Sequence, residues 1–374
     1  ITNTINLMTG ATLVDNNANG RNVISGAVNL NGNNTINVAN ATGNQLTISG
    51  AISGNAASLT KSGAGTLVLS NNNTATWLNG SSLTVSAGAL SLQNSGALGA
   101  NSNSANINTG TTLVLTNTVA GAGGNMTFGN TFNFANNSTL LENNASHTNT
   151  ISGAVNITGA GFNVNVANTN NDALVLSGLV TGSGAINKSG LGSLTLSNGA
   201  SYTGTTNINT GSLIINSNNG AGSGAIIVKP GTTLNIVGTG LVIPNAITVQ
   251  ANGTILDANV NTTAIASNKL TGVITFSGAG TVSVKGSSSN ILTIGNAVGG
   301  SNLVGAGNLT KIGEGTLVIS SVASSFTGNT IVSSGTLSIS GIAAVLGTGT
   351  VTVNNGATFD INGVLTGGNF SNVL

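Results

Sequence analysis

The sequence predicts an all-β parallel solenoid with no substantial helix. Three observations carry that expectation: one phrase recurs three times, short alternating apolar runs break at glycine, and charge is almost absent. The phrase is Leu59-Thr60-Lys61-Ser62-Gly63-Ala64-Gly65-Thr66-Leu67-Val68-Leu69-Ser70. It returns as Ile186-Asn187-Lys188-Ser189-Gly190-Leu191-Gly192-Ser193-Leu194-Thr195-Leu196-Ser197, and again as Leu309-Thr310-Lys311-Ile312-Gly313-Glu314-Gly315-Thr316-Leu317-Val318-Ile319-Ser320. The residues that define it are Lys61, Gly65, Leu67 and Leu69, then Lys188, Gly192, Leu194 and Leu196, then Lys311, Gly315, Leu317 and Ile319. The lysines are 188 − 61 = 127 and 311 − 188 = 123 residues apart. Flanking segments repeat in the same order, as Ile24-Ser25-Gly26-Ala27-Val28-Asn29 and Ile151-Ser152-Gly153-Ala154-Val155-Asn156 do. The chain therefore reads as one continuous solenoid over 1–374 with internal blocks of approximately 1–126, 127–242 and 243–374.

A finer grammar runs inside each block. Val85-Ser86-Ala87-Gly88-Ala89-Leu90-Ser91-Leu92 and Ile208-Asn209-Thr210-Gly211-Ser212-Leu213-Ile214-Ile215 each join two short strands at a glycine free to take φ > 0. Alternation puts Leu67 and Leu69 on one face and Val68 on the other. The strands turn at every bend, which suits a coil winding onto itself rather than long hairpins. That grammar predicts about 16–18 coils of about 20–24 residues, stacked ~4.8 Å apart.

Composition narrows the function classes. Charged residues are 3% of the chain, seven Lys+Arg against six Asp+Glu, where soluble domains carry roughly 25%. With 39% of residues hydrophobic and 56 Gly against two Pro, the chain can build a large core from short strands. It has no Cys, so its stability comes from something other than disulfides. No run of about 18 apolar residues is present to form a spanning helix, and the most apolar stretches, such as Ile342–Leu346, are far shorter. The start, Ile1-Thr2-Asn3, reads as a processed chain or a piece of something longer.

Lys-Ser-Gly-x-Gly-Thr-Leu-x-Leu-Ser, an Asn/Ser-rich loop, an aromatic with Thr-Gly and then Thr-x-Ile-x-x-Gly-x-Leu together resemble the passenger-associated transport repeat of bacterial autotransporters. The second block fits best, with Lys188 to Ser197, Tyr202-Thr203-Gly204 and Ile208 to Leu213. The third fits through Phe326-Thr327-Gly328, while the first departs, since Trp77 is followed by Leu78-Asn79-Gly80. The resemblance implies a single-stranded right-handed parallel β-helix, exported across a Gram-negative outer membrane by a C-terminal barrel and displayed at the cell surface. Residues Gly367 to Leu374 read as more solenoid, so membrane attachment is expected only through segments outside this chain.

The few ionisable groups argue against catalysis. His147 is the only histidine, in the polar stretch Asn144-Ala145-Ser146-His147-Thr148-Asn149, and reads as a solvated loop residue. Asp15, Glu142 and Asp257 recur once per block after apolar runs and read as capping or solvating a bend. Asp172, Glu314 and Asp360 read as isolated, so no carboxyl pair at the roughly 5–9.5 Å needed for glycoside cleavage is expected. No metal or cofactor site is expected. Lys61, Lys188 and Lys311 read as single exposed lysines that blunt sheet aggregation. A sequence pI of 8.3 with scattered lysines argues against nucleic acid. Trp77, Tyr202 and Phe326 hold equivalent places, either packing a bend or offering a surface aromatic contact to a ligand. The expected role is a structural rod acting as stalk or adhesin, with a host or matrix glycan or protein as partner. Because net charge is near zero, a homo-oligomer or polymer, as a fibre, sheath or layer subunit, is the alternative. A polysaccharide-active enzyme is the remaining one, and no residues can be named for it.

Overall fold

The computed structural model describes residues 1–364 except 19, 41–42, 118–123, 168–171, 260–265, 296–301, 321–323 and 342–345. The reading of the chain's end as further solenoid, and most of the apolar stretch Ile342–Leu346, fall outside the described residues. Every element among the described residues is a strand, turn or bend. All named strand pairs are parallel, and the chain makes a β-solenoid of about 14 turns. The expected 16–18 coils were too many because coils are longer and less even than the phrase suggests. Thr206 pairs with Ile226 (226 − 206 = 20), whereas Ile274 pairs with Leu303 (303 − 274 = 29).

The chain divides into two compact units, Ile1–Leu194 with Tyr202–Gly204, and Thr195–Ser201 with Thr205–Leu374. In the first unit, Ile5–Leu7, Thr12–Asp15 and Arg21–Ile24 form a coil. Val28–Leu30, Asn34–Val38 and Gln45–Ile48 stack on it in parallel. Such strands, three to five residues long, would be unstable alone. Stacking gives their backbone N–H and C=O groups partners along the axis.

Alternation then fills the interior. Leu46, Leu67, Leu90, Leu113, Leu140 and Val164 fall in one register row, each at most 3% exposed. Aromatic residues thicken the core near the middle of this unit. Phe134 stacks on Phe162 at 4.6 Å between centroids, and Phe128 meets Phe132 edge-on at 6.2 Å. The second unit repeats the scheme. Leu213, Leu234, Ile255 and Val282 make an inward row on Ser212–Ile215, Thr233–Ile236, Thr254–Asp257 and Gly280–Val284.

The repeat blocks do not hold a whole number of coils. Along one sheet, Lys61 aligns with Val85, Ile107, Phe134, Ile157 and Gly182 in turn. Lys188 lies on the next strand around, Ala185–Ser189. Equivalent residues of the first two blocks therefore occupy different sides of the coil and cannot form a stripe along one face.

The inward rows set the first test. Leu90→Ala is expected to cost about 2–5 kcal/mol of unfolding free energy. Thr60→Ala, on the outward face of its strand, is expected to stay within about 0.5 kcal/mol. Urea midpoints of the two variants measure the contrast, and equal losses would overturn the assignment of faces.

Candidate functional site

Each copy of the phrase builds the same corner, and its lysine lies inside it. Lys61, Lys188 and Lys311 are all 0% exposed. Lys61 shares its register row with Ile36 and Val85, and Lys311 with Val282 and Val332, so the aliphatic stem replaces a core residue. Lys61 Nζ donates to the carbonyls of Ser62 (2.9 Å), Gly63 (2.7 Å) and Ala87 (2.9 Å). Lys311 Nζ donates to Ile312 (3.0 Å), Gly313 (2.7 Å) and Ser334 (3.1 Å). Lys188 Nζ donates to Ser189 and Gly190, both at 2.8 Å. For Lys61 and Lys311, three N–H donors thus meet three carbonyls, two from their own bend and one from the next coil.

The glycines make the corner possible. Gly63, Gly190 and Gly313 sit at φ of 76°, 78° and 81°, in the left-handed region, which turns their carbonyls toward the ammonium. Two residues on, the amides of Gly65, Gly192 and Gly315 donate to Val38, Val166 and Val284 of the preceding coil at 2.9, 3.1 and 3.0 Å. A Cβ at any of these three would come within 2.7 Å of that valine's side chain.

The expectation of exposed, aggregation-blunting lysines is therefore corrected. The alternation that sends Leu59 inward sends Lys61 inward too, and the corner carbonyls satisfy its charge. Burial pulls each ammonium from the ordinary lysine range down to about 8. The three lysine side chains face no solvent.

The aromatics are buried as well. Trp77, Tyr202 and Phe326 are 1%, 0% and 0% exposed, which corrects the surface-contact reading. Their equivalence holds. The amide following each one, from Leu78, Thr203 and Thr327, donates to Gly54, Gly182 and Gly305 at 2.7, 2.9 and 2.8 Å. Each of those glycines precedes a phrase lysine by six or seven residues. The backbone beside each aromatic is thus bonded to the coil just ahead of a lysine strand, and the ring itself is buried. Trp77 Nε1 is buried with no partner, so its indole N–H adds nothing that a phenyl ring would lose.

The carboxylates cap bends, as expected, but from inside. Asp15, Glu142 and Asp257 are 6%, 0% and 1% exposed and stand in aliphatic rows, Glu142 between Leu115 and Val166 and Asp257 between Ile236 and Val284. Each accepts the amide two residues on, from Asn17 (3.2 Å), Asn144 (2.9 Å) or Asn259 (3.2 Å). Each also accepts an asparagine side chain, from Asn22, Asn149 or Asn268. Burial pushes the Glu142 carboxyl up to about 7, and Asp172 adds like-charge repulsion. Asp172 is thus not isolated; it lies within electrostatic reach of Glu142. His147 is half-buried in the same bend, with Nδ1 2.6 Å from the carbonyl of Ala145. Among the described residues no three His, Asp or Glu gather to hold a metal ion.

The outer surface of the first unit carries neutral hydrogen-bonding groups in rows. Asn106, Asn133, Asn156 and Thr181 each donate to the residue one coil earlier, beginning at Thr84, over 2.6–3.2 Å. A shallow groove of about 460 Å³ crosses another sheet, lined by Gln45, Thr66, Val68, Ser91, Gln93 and Thr116 among others. Val68 faces outward as expected, yet is 2% exposed at the bottom of this groove.

The model of the passenger-associated-transport-repeat matches residues 59–92, 186–215 and 309–339, the segments that hold the three lysine corners. The adhesin BmaC autotransporter of Brucella suis biovar 1 (strain 1330) is 30% identical over 174 residues, which is 46% of this chain. The match covers 4% of that relative's length. No solved structure matches the chain.

Two substitutions separate the corner's parts. Lys61→Met keeps the stem but strips three buried carbonyls of their donor, and is expected to cost about 1–3 kcal/mol. Trp77→Phe, which deletes an unpartnered N–H, is expected to cost far less than the roughly 3–5 kcal/mol of Trp77→Ala. Denaturant unfolding of the full chain measures both. A Lys61→Met midpoint equal to wild type would show that the corner needs no ammonium.

Proposed function

We propose that this chain, an autotransporter passenger β-solenoid carrying three passenger-associated transport repeats, serves as a stalk and adhesive surface outside a Gram-negative cell. The observation that carries the reading is the coincidence of each matched repeat with a buried lysine corner. The repeat residues are spent on holding coils together, which leaves the outer rows free to face the surroundings. The similarity to an adhesin autotransporter supports the same reading.

The contact surface we assign is the groove of the first unit. Its amides and hydroxyls, from Gln45, Thr66, Ser91, Gln93 and Thr116, are neutral donors and acceptors, with Arg21 the one charged side chain in its lining. With 3% charged residues in the chain, attraction at a distance is weak, and binding would rest on short-range hydrogen bonds over many coils. That chemistry suits a neutral glycan or a polar protein surface of the host or matrix. Many weak contacts along a repetitive face add up through multivalency.

Beads coated with the purified chain test this. Retention on cultured epithelial cells and on a glycan array is expected to exceed that of beads bearing an unrelated β-solenoid several-fold. The Gln45→Ala/Gln93→Ala/Thr116→Ala variant is expected to lose most of that excess with an unchanged unfolding midpoint. Retention equal to the control would overturn the adhesive reading, and full retention by the variant would move the contact away from the groove.

A further inference from the structure

The groove of the first unit differs from the asparagine and threonine ladder beside it, because its polar side chains are largely unpartnered. In the ladder from Thr84 to Thr181, each rung already donates to the coil before it. Among the described residues, the side chains of Arg21, Thr66, Ser91 and Gln93 make no hydrogen bond, and Arg21 makes no ion pair. Gln45 donates to Thr47 Oγ1 at 3.1 Å and keeps its side-chain oxygen free. Ser91 is 5% exposed, so a nearly buried hydroxyl lines the groove without a partner.

The register lays these groups out obliquely. Arg21, Gln45 and Thr66 stand in one row, and Val68, Ser91 and Val114 in the next row of the same sheet. Gln93 and Thr116 follow directly on the strands Ala89–Leu92 and Thr112–Leu115. The groove therefore crosses five stacked strands, four steps of ~4.8 Å or about 19 Å. Val68 is 2% exposed, so the floor is partly apolar and nearly dry, while amides and hydroxyls form the rims. Arg21 is exposed and is the only arginine of the chain. Asp15, the carboxylate nearest to it in sequence, turns Oδ1 to the Asn17 amide and Asn22 Nδ2 instead.

A saccharide matches this surface, since its rings have apolar C–H faces and hydroxyl edges. A peptide matches it less well. Gln45–Ile48, Thr66–Leu69 and Ala89–Leu92 are hydrogen-bonded on both sides, so the floor offers a peptide backbone no sheet edge. A guanidinium holds a carboxylate through two parallel N–H···O bonds. Because Arg21 is the one charged side chain in the lining, a second carboxylate further along would lie on a poorly hydrated floor without a counter-charge. We propose that the groove receives an otherwise neutral oligosaccharide carrying one carboxylated sugar, with the carboxylate on Arg21 and the neutral rings along Val68, Ser91 and Val114. The inference rests on the adhesive reading above, and adds to it the charge of the ligand and its direction along the groove.

Calorimetric titration of the full chain compares a tetrasaccharide ending in sialic acid, the same glycan with that carboxylate converted to its amide, and tetragalacturonate. The acidic glycan is expected to bind roughly tenfold more tightly than its amide, the gain of one charge-assisted contact. Arg21→Gln should erase that preference with an unchanged urea midpoint, since the guanidinium holds no partner in the fold. About 0.5 M sodium chloride should shrink the preference and leave binding of the amide in place. Equal binding of acid and amide, or a preference that survives Arg21→Gln, would overturn the inference. So would tighter binding of tetragalacturonate, or equal binding of a short peptide bearing a single glutamate. If neither glycan binds, the inference fails, and the cell-retention assay above decides the adhesive reading separately.

Discussion

Within each unit, successive described coils hydrogen-bond in parallel register, so residues at equivalent positions stack in rows. Leu46, Leu67, Leu90 and Leu113 are one such row, with backbone bonds on both sides of each strand. This arrangement ties side-chain identity to the axis rather than to any one coil. A residue inserted into a row must fit between the residues above and below it. It must also bring its polar atoms to a bend, where backbone groups are available to meet them.

The buried polar groups follow from that constraint. Lysine fits because its stem continues the aliphatic row while its ammonium reaches carbonyls turned inward by a left-handed glycine. Glutamate and aspartate fit at the last residue of a strand, where the amide two residues on and an asparagine side chain are within reach. Buried asparagines staple neighbouring bends, as Asn245 does with the carbonyls of Ala221, Gly222 and Gly224. A charge in this interior sits at a bend, not in mid-strand. It is held by groups that the bends would otherwise leave unpaired.

That division of labour links structure to role. The residues that make the repeats recognisable, Lys61, Gly65, Leu67 and their counterparts, work on the inside and hold coils together. The outside is left to amides and hydroxyls in rows, such as Thr84, Asn106, Asn133 and Asn156. The outer rows can therefore vary without disturbing the stack, which suits a passenger whose exterior meets other molecules.

The amino-acid sequence by itself determined the solenoid, the strand alternation and the three corners, because period-two apolar patterning and glycine at fixed offsets are local properties. The inward lysine was also legible: Leu59 and Lys61 share a face in any strand. It was missed because a lone lysine reads as solvated unless its carbonyl partners are known. Two of those partners are adjacent in sequence, but Ala87 is one coil away, and only stacking brings it to the ammonium. The aromatics were ambiguous for the same reason, since closing a coil and facing solvent need the same residue types. Tertiary structure alone decided the coil count, through irregular bends, and the approach of Asp172 to within electrostatic reach of Glu142, thirty residues apart in sequence. That approach depends on the length of one coil and the register of its neighbour, and no local pattern encodes either.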